Sequence, residues 1–215
     1  MNISRYLFLL PLMICSLSSA GENDTLFHPS LRIGADVSGF ARQLIEPETI
    51  FYEIHADMGW SPNWFLATEI GLLDVSISKP THNYFAGGYY MRAGVDYNLL
   101  QRPDIDQLGI AYGSLRYGFG NTHHEAPEII INNVYWGNVN SSVPIENIWS
   151  HWLELGGGLK TKLFGKVYVG WSLRARFLLY KSASIAMEPY YIAGFGKYND
   201  KPSVMVHYAI YYKLF

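Results

Sequence analysis

The stretch "YVGWSLRARFLLY", residues 168–180, sets the tightest limit on what this chain can fold into. Arg174 and Arg176 interrupt an apolar run long enough to be buried or to cross a membrane, and a guanidinium stays charged in either place. Their spacing removes the conflict. Val169, Trp171, Leu173, Ala175, Phe177 and Leu179 fall on one side of an extended chain, with Gly170, Ser172, Arg174, Arg176 and Tyr180 on the other. A period of two is that of a β-strand, and both charges share one face.

The same rhythm recurs. Leu31, Ile33, Ala35 and Val37 alternate with Arg32, Gly34, Asp36 and Ser38, and Tyr52, Ile54, Ala56, Met58 and Trp60 with Glu53, His55, Asp57 and Gly59. Tyr89, Met91, Ala93, Val95 and Tyr97 oppose Tyr90, Arg92, Gly94 and Asp96, and Leu115, Tyr117 and Phe119 oppose Ser114, Arg116 and Gly118. Leu153, Leu155, Leu159 and Leu163 oppose Glu154, Lys160 and Lys162; Val206, Tyr208, Ile210, Tyr212 and Leu214 oppose His207, Ala209, Tyr211 and Lys213. In residues 64–77 the apolar phase switches between Leu72 and Leu73, which we read as a bulge. With 168–180 this makes eight strands, most of them of the roughly nine to eleven residues that a tilted membrane strand needs.

Connections after the second and sixth strands are very short ("SPN", 61–63; "FGK", 164–166), and "NLLQRPDIDQ" follows the fourth. The links after strands one, three, five and seven, "GFARQLIEPET", "SKPTHN", Gly120 to Ser150 and about Lys181 to Lys201, put the longer loops at one end. That asymmetry belongs to up-and-down outer-membrane barrels. No run of about eighteen apolar residues marks a spanning helix.

A secretory leader fits this fold. "MNISRYLFLLPLMICSLSSA" has Arg5, an apolar stretch from Tyr6 to Cys15 and a small-residue end, so residues 1–20 are expected to be a cleaved signal peptide and 21–215 the barrel. Ile14 before Cys15 does not suit a lipobox. The mature chain then lacks cysteine, and loss of Arg5 takes the net charge from -2 to -3. Neither the charge nor any basic cluster suits nucleic acid.

Alternation alone does not say which face points inward, since a soluble lipocalin-like barrel would bury the apolar face. The polar face favours the membrane form, with a soluble core filled by the aromatics as the alternative. Alongside Gly and Ser it carries Arg32, Arg92, Arg116, Lys160, Lys162, Arg174, Arg176 and Lys213 against Asp36, Glu53, Asp57, Glu69, Asp96 and Glu154, a composition for mutual pairing in a confined lumen. The other face carries aliphatics with Trp60, Trp64, Tyr97 and Tyr212 toward strand ends, where lipid meets water. An eight-stranded barrel has room inside for side chains only, so a channel is not expected and function falls to loops, rims or the outer wall.

Chemistry-bearing motifs are sparse. "HHE" at His123–Glu125 places neighbours on opposite faces, His151 beside Trp152 and Glu154 could serve as a rim base, "GFGK" at 194–197 lacks a phosphate-loop context, and no GxSxG elbow occurs. No catalytic, cofactor-binding or metal-binding residues are expected. Two loops offer aromatic anchors among small polar residues: Tyr135, Trp136, Trp149 and Trp152 in one, Tyr190, Tyr191 and Phe195 in the other. These are candidate partner contacts, with mutual burial over the barrel mouth as the competing outcome.

The segments "RAGVDYNLL", "GSLRYGFG", "YWGNVNSSVP", "HWLELGGGLK", "GWSLRARFLLY", "EPYYIAGFGKY" and "YAIYYKLF" resemble the motifs of a Bacteroidota family of small outer-membrane barrels catalogued as a domain of unknown function. The resemblance runs from about Leu31 to the end. It implies an eight-stranded barrel and a place beside the central barrel of the outer-membrane barrel-assembly machine, helping to hold surface lipoproteins over it. Phe215 departs from the usual terminal pattern, being out of phase with Tyr208, Ile210, Tyr212 and Leu214. The function expected is docking, without cofactors; the alternative is a small-barrel enzyme that modifies the acyl chains of lipid A.

Overall fold

The computed structural model describes residues 29–100, 109–131, 137, 139–199 and 201–215, apart from the side chains of residues 40 and 41. The expected leader, Tyr135 and Trp136 lie outside the described residues. Alternation becomes geometry directly. The strands are β1 (Ser30–Asp36), β2 (Thr49–Ser61), β3 (Trp64–Lys79), β4 (His82–Asn98), β5 (Ile110–Ile131), β6 (Val139–Phe164), β7 (Val167–Lys181) and β10 (Ser203–Lys213). They are antiparallel and close in the order β1-β10-β7-β6-β5-β4-β3-β2. Helix α1 (Ser38–Ile45) follows β1, and a small hairpin, β8 (Tyr191–Ile192) with β9 (Gly196–Lys197), lies between β7 and β10.

Polarity is inside-out. Ile54, Ile70, Leu72, Met91, Leu155, Leu173, Leu179 and Ile210 stand exposed on the outer wall, while Arg92, Asp96, Arg116, Glu154, Lys160 and Arg174 are buried. Lipid in place of water suits the outer wall, because apolar side chains lose nothing there and pairing around the ring satisfies most of the strand backbone. No described helix is long and apolar enough to cross a membrane. Aromatic residues mark both borders. At the turn end Trp60 stacks on Trp64 and Trp64 meets Tyr97 edge-on, at 6.5 and 4.9 Å between centroids. At the loop end Phe119 lies 5.1 Å from Trp149 and 4.9 Å from His151, which lies 5.8 Å from Tyr180.

Three expectations need correction. The phase switch at Leu72–Leu73 is not a bulge, because β3 keeps strict alternation and an unbroken register with β4 from Trp64 to Lys79. What changes is the surroundings: beyond Leu72 the outer positions turn polar (Asp74, Ser76, Ser78) and the inner ones apolar (Leu73, Val75, Ile77). The strand leaves the membrane there, and the charged lumen gives way to an apolar core. Second, much of 120–150 and of "SKPTHN" is strand. β5 and β6 run for 22 and 26 residues and form a hairpin that continues beyond the end of β7, with the β3–β4 hairpin paired beside it as far as His82–Ile129, and only Pro80 and Thr81 separate β3 from β4. Third, β1 stops at Asp36, and the "GFARQLI" taken for a loop folds as most of α1.

This border is testable by charge. Arg at Ile70, on the outer wall, is expected to destabilise the barrel by about 2–4 kcal/mol, whereas Arg at Ser76, past the switch, should cost no more than about 1 kcal/mol. Reversible denaturant unfolding in lipid vesicles measures both.

Candidate functional site

The twelve charged side chains expected in the lumen form one connected array. Arg32 Nε and Lys160 Nζ reach Asp57 at 2.7 and 2.6 Å; Lys160 continues to Asp96 at 3.1 Å, and Asp96 meets Arg116 at 2.6 Å. Arg116 leads to Glu69 at 3.5 Å, which Arg174 grips with both terminal nitrogens at 2.7 and 2.8 Å and Arg92 touches through Nε at 3.0 Å. Arg92 also pairs with Glu53 and with Glu154, the latter at 3.1 Å. Arg176 Nε lies 3.0 Å from Glu154, and its Nη2 is 2.7 Å from His207 Nε2, whose Nδ1 lies 2.6 Å from Asp36. Arg32, Arg92, Arg116, Lys160, Arg174 and Arg176 thus balance Asp36, Glu53, Asp57, Glu69, Asp96 and Glu154 one for one. Lys162 sits outside the array, exposed at the turn end.

Neutral groups complete it. The Tyr90 hydroxyl donates to Glu53, the indole of Trp152 donates to Glu154 at 2.7 Å, and His55 bridges Glu53 (2.6 Å) and the Tyr211 hydroxyl (3.1 Å). Sequence reasoning did not enrol these four or His207. The signal was there, since Tyr90, His55, His207 and Tyr211 all occupy the charged phase of their strands.

Over this array the β7–β10 loop folds into the barrel mouth. Ile192, Ala193 and Phe195 pack with Leu73, Val75, Tyr84, Ala86 and Trp152. The insert is held by backbone bonds: Arg176 donates to the Phe195 carbonyl at 3.1 Å, Ala193 N–H to Thr122 Oγ1 at 2.8 Å, and Tyr190 N–H to the Tyr84 hydroxyl at 3.1 Å. Gly194, at φ +77, makes the turn that points the hairpin inward. Trp152, Tyr191 and Phe195, taken from sequence as candidate contacts, are therefore buried. The cause is the barrel, which turns a loop rich in aromatics into a plug. Trp149 and Tyr190 remain exposed.

Two histidines gather near the rim. On the outer wall the Tyr117 hydroxyl lies 2.9 Å from His151 Nδ1. Inside the raised hairpin His124 is fully buried, and neither ring nitrogen finds a hydrogen-bond partner among the described residues. Its Nε2 lies 3.7 Å from Glu146 Oε2, the atom that accepts the Ser184 hydroxyl at 2.5 Å. His, Glu and Ser converge there, but the serine meets the carboxylate rather than the imidazole. Asp36, Glu53 and His55 also bring donor atoms within 4.8 Å of one another. The donor set does not suit a cation: Asp36 is engaged by His207, Glu53 by His55, and Arg176 and Arg92 lie against them.

A charge-balanced ionic lumen, an apolar plug and an apolar outer wall define a small outer-membrane β-barrel. The chain belongs to the family described as a domain of unknown function, DUF6048, whose profile matches residues 2–214. No curated protein matches its sequence. Among solved structures it is similar to the N-terminal β-barrel domain of Pseudomonas aeruginosa OprF (12% identity, TM-score 0.43, 86% of this chain and 97% of that one). It is also similar to Ail, the attachment invasion locus protein of Yersinia pestis (10%, 0.44, 86% and 97%), and to a major outer membrane protein from Thermus thermophilus (8%, 0.49, 86% and 98%).

The array has a measurable consequence. Glu69→Gln strips the anion facing Arg174, Arg92 and Arg116 and is expected to cost about 3–5 kcal/mol in unfolding experiments, the penalty for orphaning buried cations.

Proposed function

We propose that this protein is a non-enzymatic integral subunit of the outer membrane that docks partner proteins, with its long loops outside. Its most concrete setting is as an accessory of the barrel-assembly machine, beside a larger barrel and its surface lipoproteins. The observation that carries the docking role is the sealed lumen: neutral overall and capped by Ile192 and Phe195, it leaves activity to the surface. The surface offers a platform in the β5–β6 hairpin, which continues beyond the end of β7 and presents Ile131, Val139, Ile145 and Trp149 to the outside. Exposed aliphatic and aromatic side chains on a paired hairpin suit a protein partner.

The test is extraction of tagged protein in mild detergent, followed by mass spectrometry of what co-purifies. Recovery with a large barrel and surface lipoproteins in stoichiometric amounts is expected, as is a loss of about tenfold or more for Ile145→Asp with Trp149→Ala. Recovery of the barrel alone would sink the proposal.

The His124–Glu146–Ser184 group favours a second reading, an enzyme that modifies lipid A acyl chains. It requires that deletion change the acyl composition of lipid A and that a His124→Ala copy fail to restore it. The docking role requires no such change, and mass spectrometry of extracted lipid A decides.

A further inference from the structure

The two sides of β6 end at different heights. β7 accompanies it only as far as the Ser150–Lys181 pair, while β5 stays paired with it up to Ile131–Val139. After Lys181 the chain follows β6 a little further by other bonds. The Ser182 N–H reaches the Trp149 carbonyl at 2.9 Å, and the Glu146 carboxylate accepts the Ser184 hydroxyl and the Ile185 and Ala186 N–H groups, the last two at 3.3 and 2.9 Å. From Ile145 up to Val139 no described residue pairs with β6 on the side away from β5, so this stretch is a bare strand edge.

A strand edge presents backbone N–H and C=O groups that template another chain, and native proteins commonly blunt such edges with charged side chains. Residues 139–145, "VNSSVPI", carry no charge, and the next residue, Glu146, is engaged by the 184–186 segment. Pro144 offers no N–H, so ladder bonds on this edge fall to its neighbours. Val139, Asn140, Ser141 and Ser142 are all exposed, Ile145 is 63% exposed, and Val143 anchors the stretch by packing inward against the apolar core. Pairing with β5 at Ile131–Val139, Ile130–Asn140, Ile129–Ser141 and Ala126–Val143 already holds the strand extended, so little of the ordering cost of binding falls on this side.

We propose that the 139–145 edge of β6 is a strand-addition site, which takes an extended segment of the docked protein as a further strand beside β6. This rests on the docking role and supplies its mode. A bare ladder edge recognises extended backbone, so the ligand class is an extended peptide; it is uncharged, because the edge offers no counter-charge, and rich in β-branched residues, which pair well across strands. A second copy of this chain does not fit. Two copies inserted the same way up both run β6 from the loop end to the turn end, which forbids antiparallel pairing, and a two-fold axis along the membrane normal tilts the strands in opposite senses, so they cross instead of aligning.

The test is amide hydrogen exchange read by mass spectrometry on the full mature protein, once purified alone and once in the complex recovered through its tag from native membranes. Edge-facing amides of 139–145 are expected to exchange freely in the isolated barrel and at least about tenfold more slowly in the complex, because each new ladder bond must open before exchange. Ser142→Lys, which charges the edge, should lower recovery of the partner at least about tenfold, while Ser142→Thr keeps it. Retained heat-modifiable mobility on gels shows that both variants fold. A partner that co-purifies but leaves 139–145 exchanging as in the isolated barrel overturns strand addition and leaves the docking role standing, whereas absence of any partner removes both. Slowing in the isolated protein that grows with its concentration would give the edge to a second copy and overturn the choice of occupant.

Discussion

Every feature of this barrel depends on neutralising charge where water is scarce. Six cations and six carboxylates share a lumen, and each is desolvated at a cost that only close, multiple pairing offsets. Glu69 meets three guanidinium groups and Arg92 three carboxylates, so none of the central members is paired with a single partner. This is why arginine dominates: its planar fork serves several oxygens at once, where a lysine would act as a point charge. The one lysine in the array, Lys160, sits toward the turn end between Asp57 and Asp96. An array of this kind fixes strand register, because a slip of one residue would send a charge into lipid and a leucine into the lumen.

Closure and polarity then divide the barrel along its axis. Along β3, from the turn end to about Leu72, the inside is ionic and the outside apolar; beyond it the inside is apolar and the outside polar. The second regime is that of a soluble β-domain standing on a membrane barrel. It lets the β7–β10 loop enter as an apolar plug, and it lets β3 to β6 continue beyond the end of β7.

Most of the membrane half was legible in the sequence, because period-two alternation gave the strands and the mix of small residues with charges of both signs on one phase suited a confined lumen. Spacing put Arg174 and Arg176 on one face, and the composition of that face turned it inward. The upper half was harder to read, since reversal of polarity at Leu72–Leu73 mimics a bulge when only residue types are seen. Burial of Trp152, Tyr191 and Phe195 was hidden for a related reason: loop composition is the same whether aromatics face a partner or fold back into the mouth. Helix α1 was missed because eight residues, "SGFARQLI", offer too short a window for a 3.6-residue period. His124 was passed over since adjacency in "HHE" says nothing of Glu146 or Ser184, which only the fold brings near.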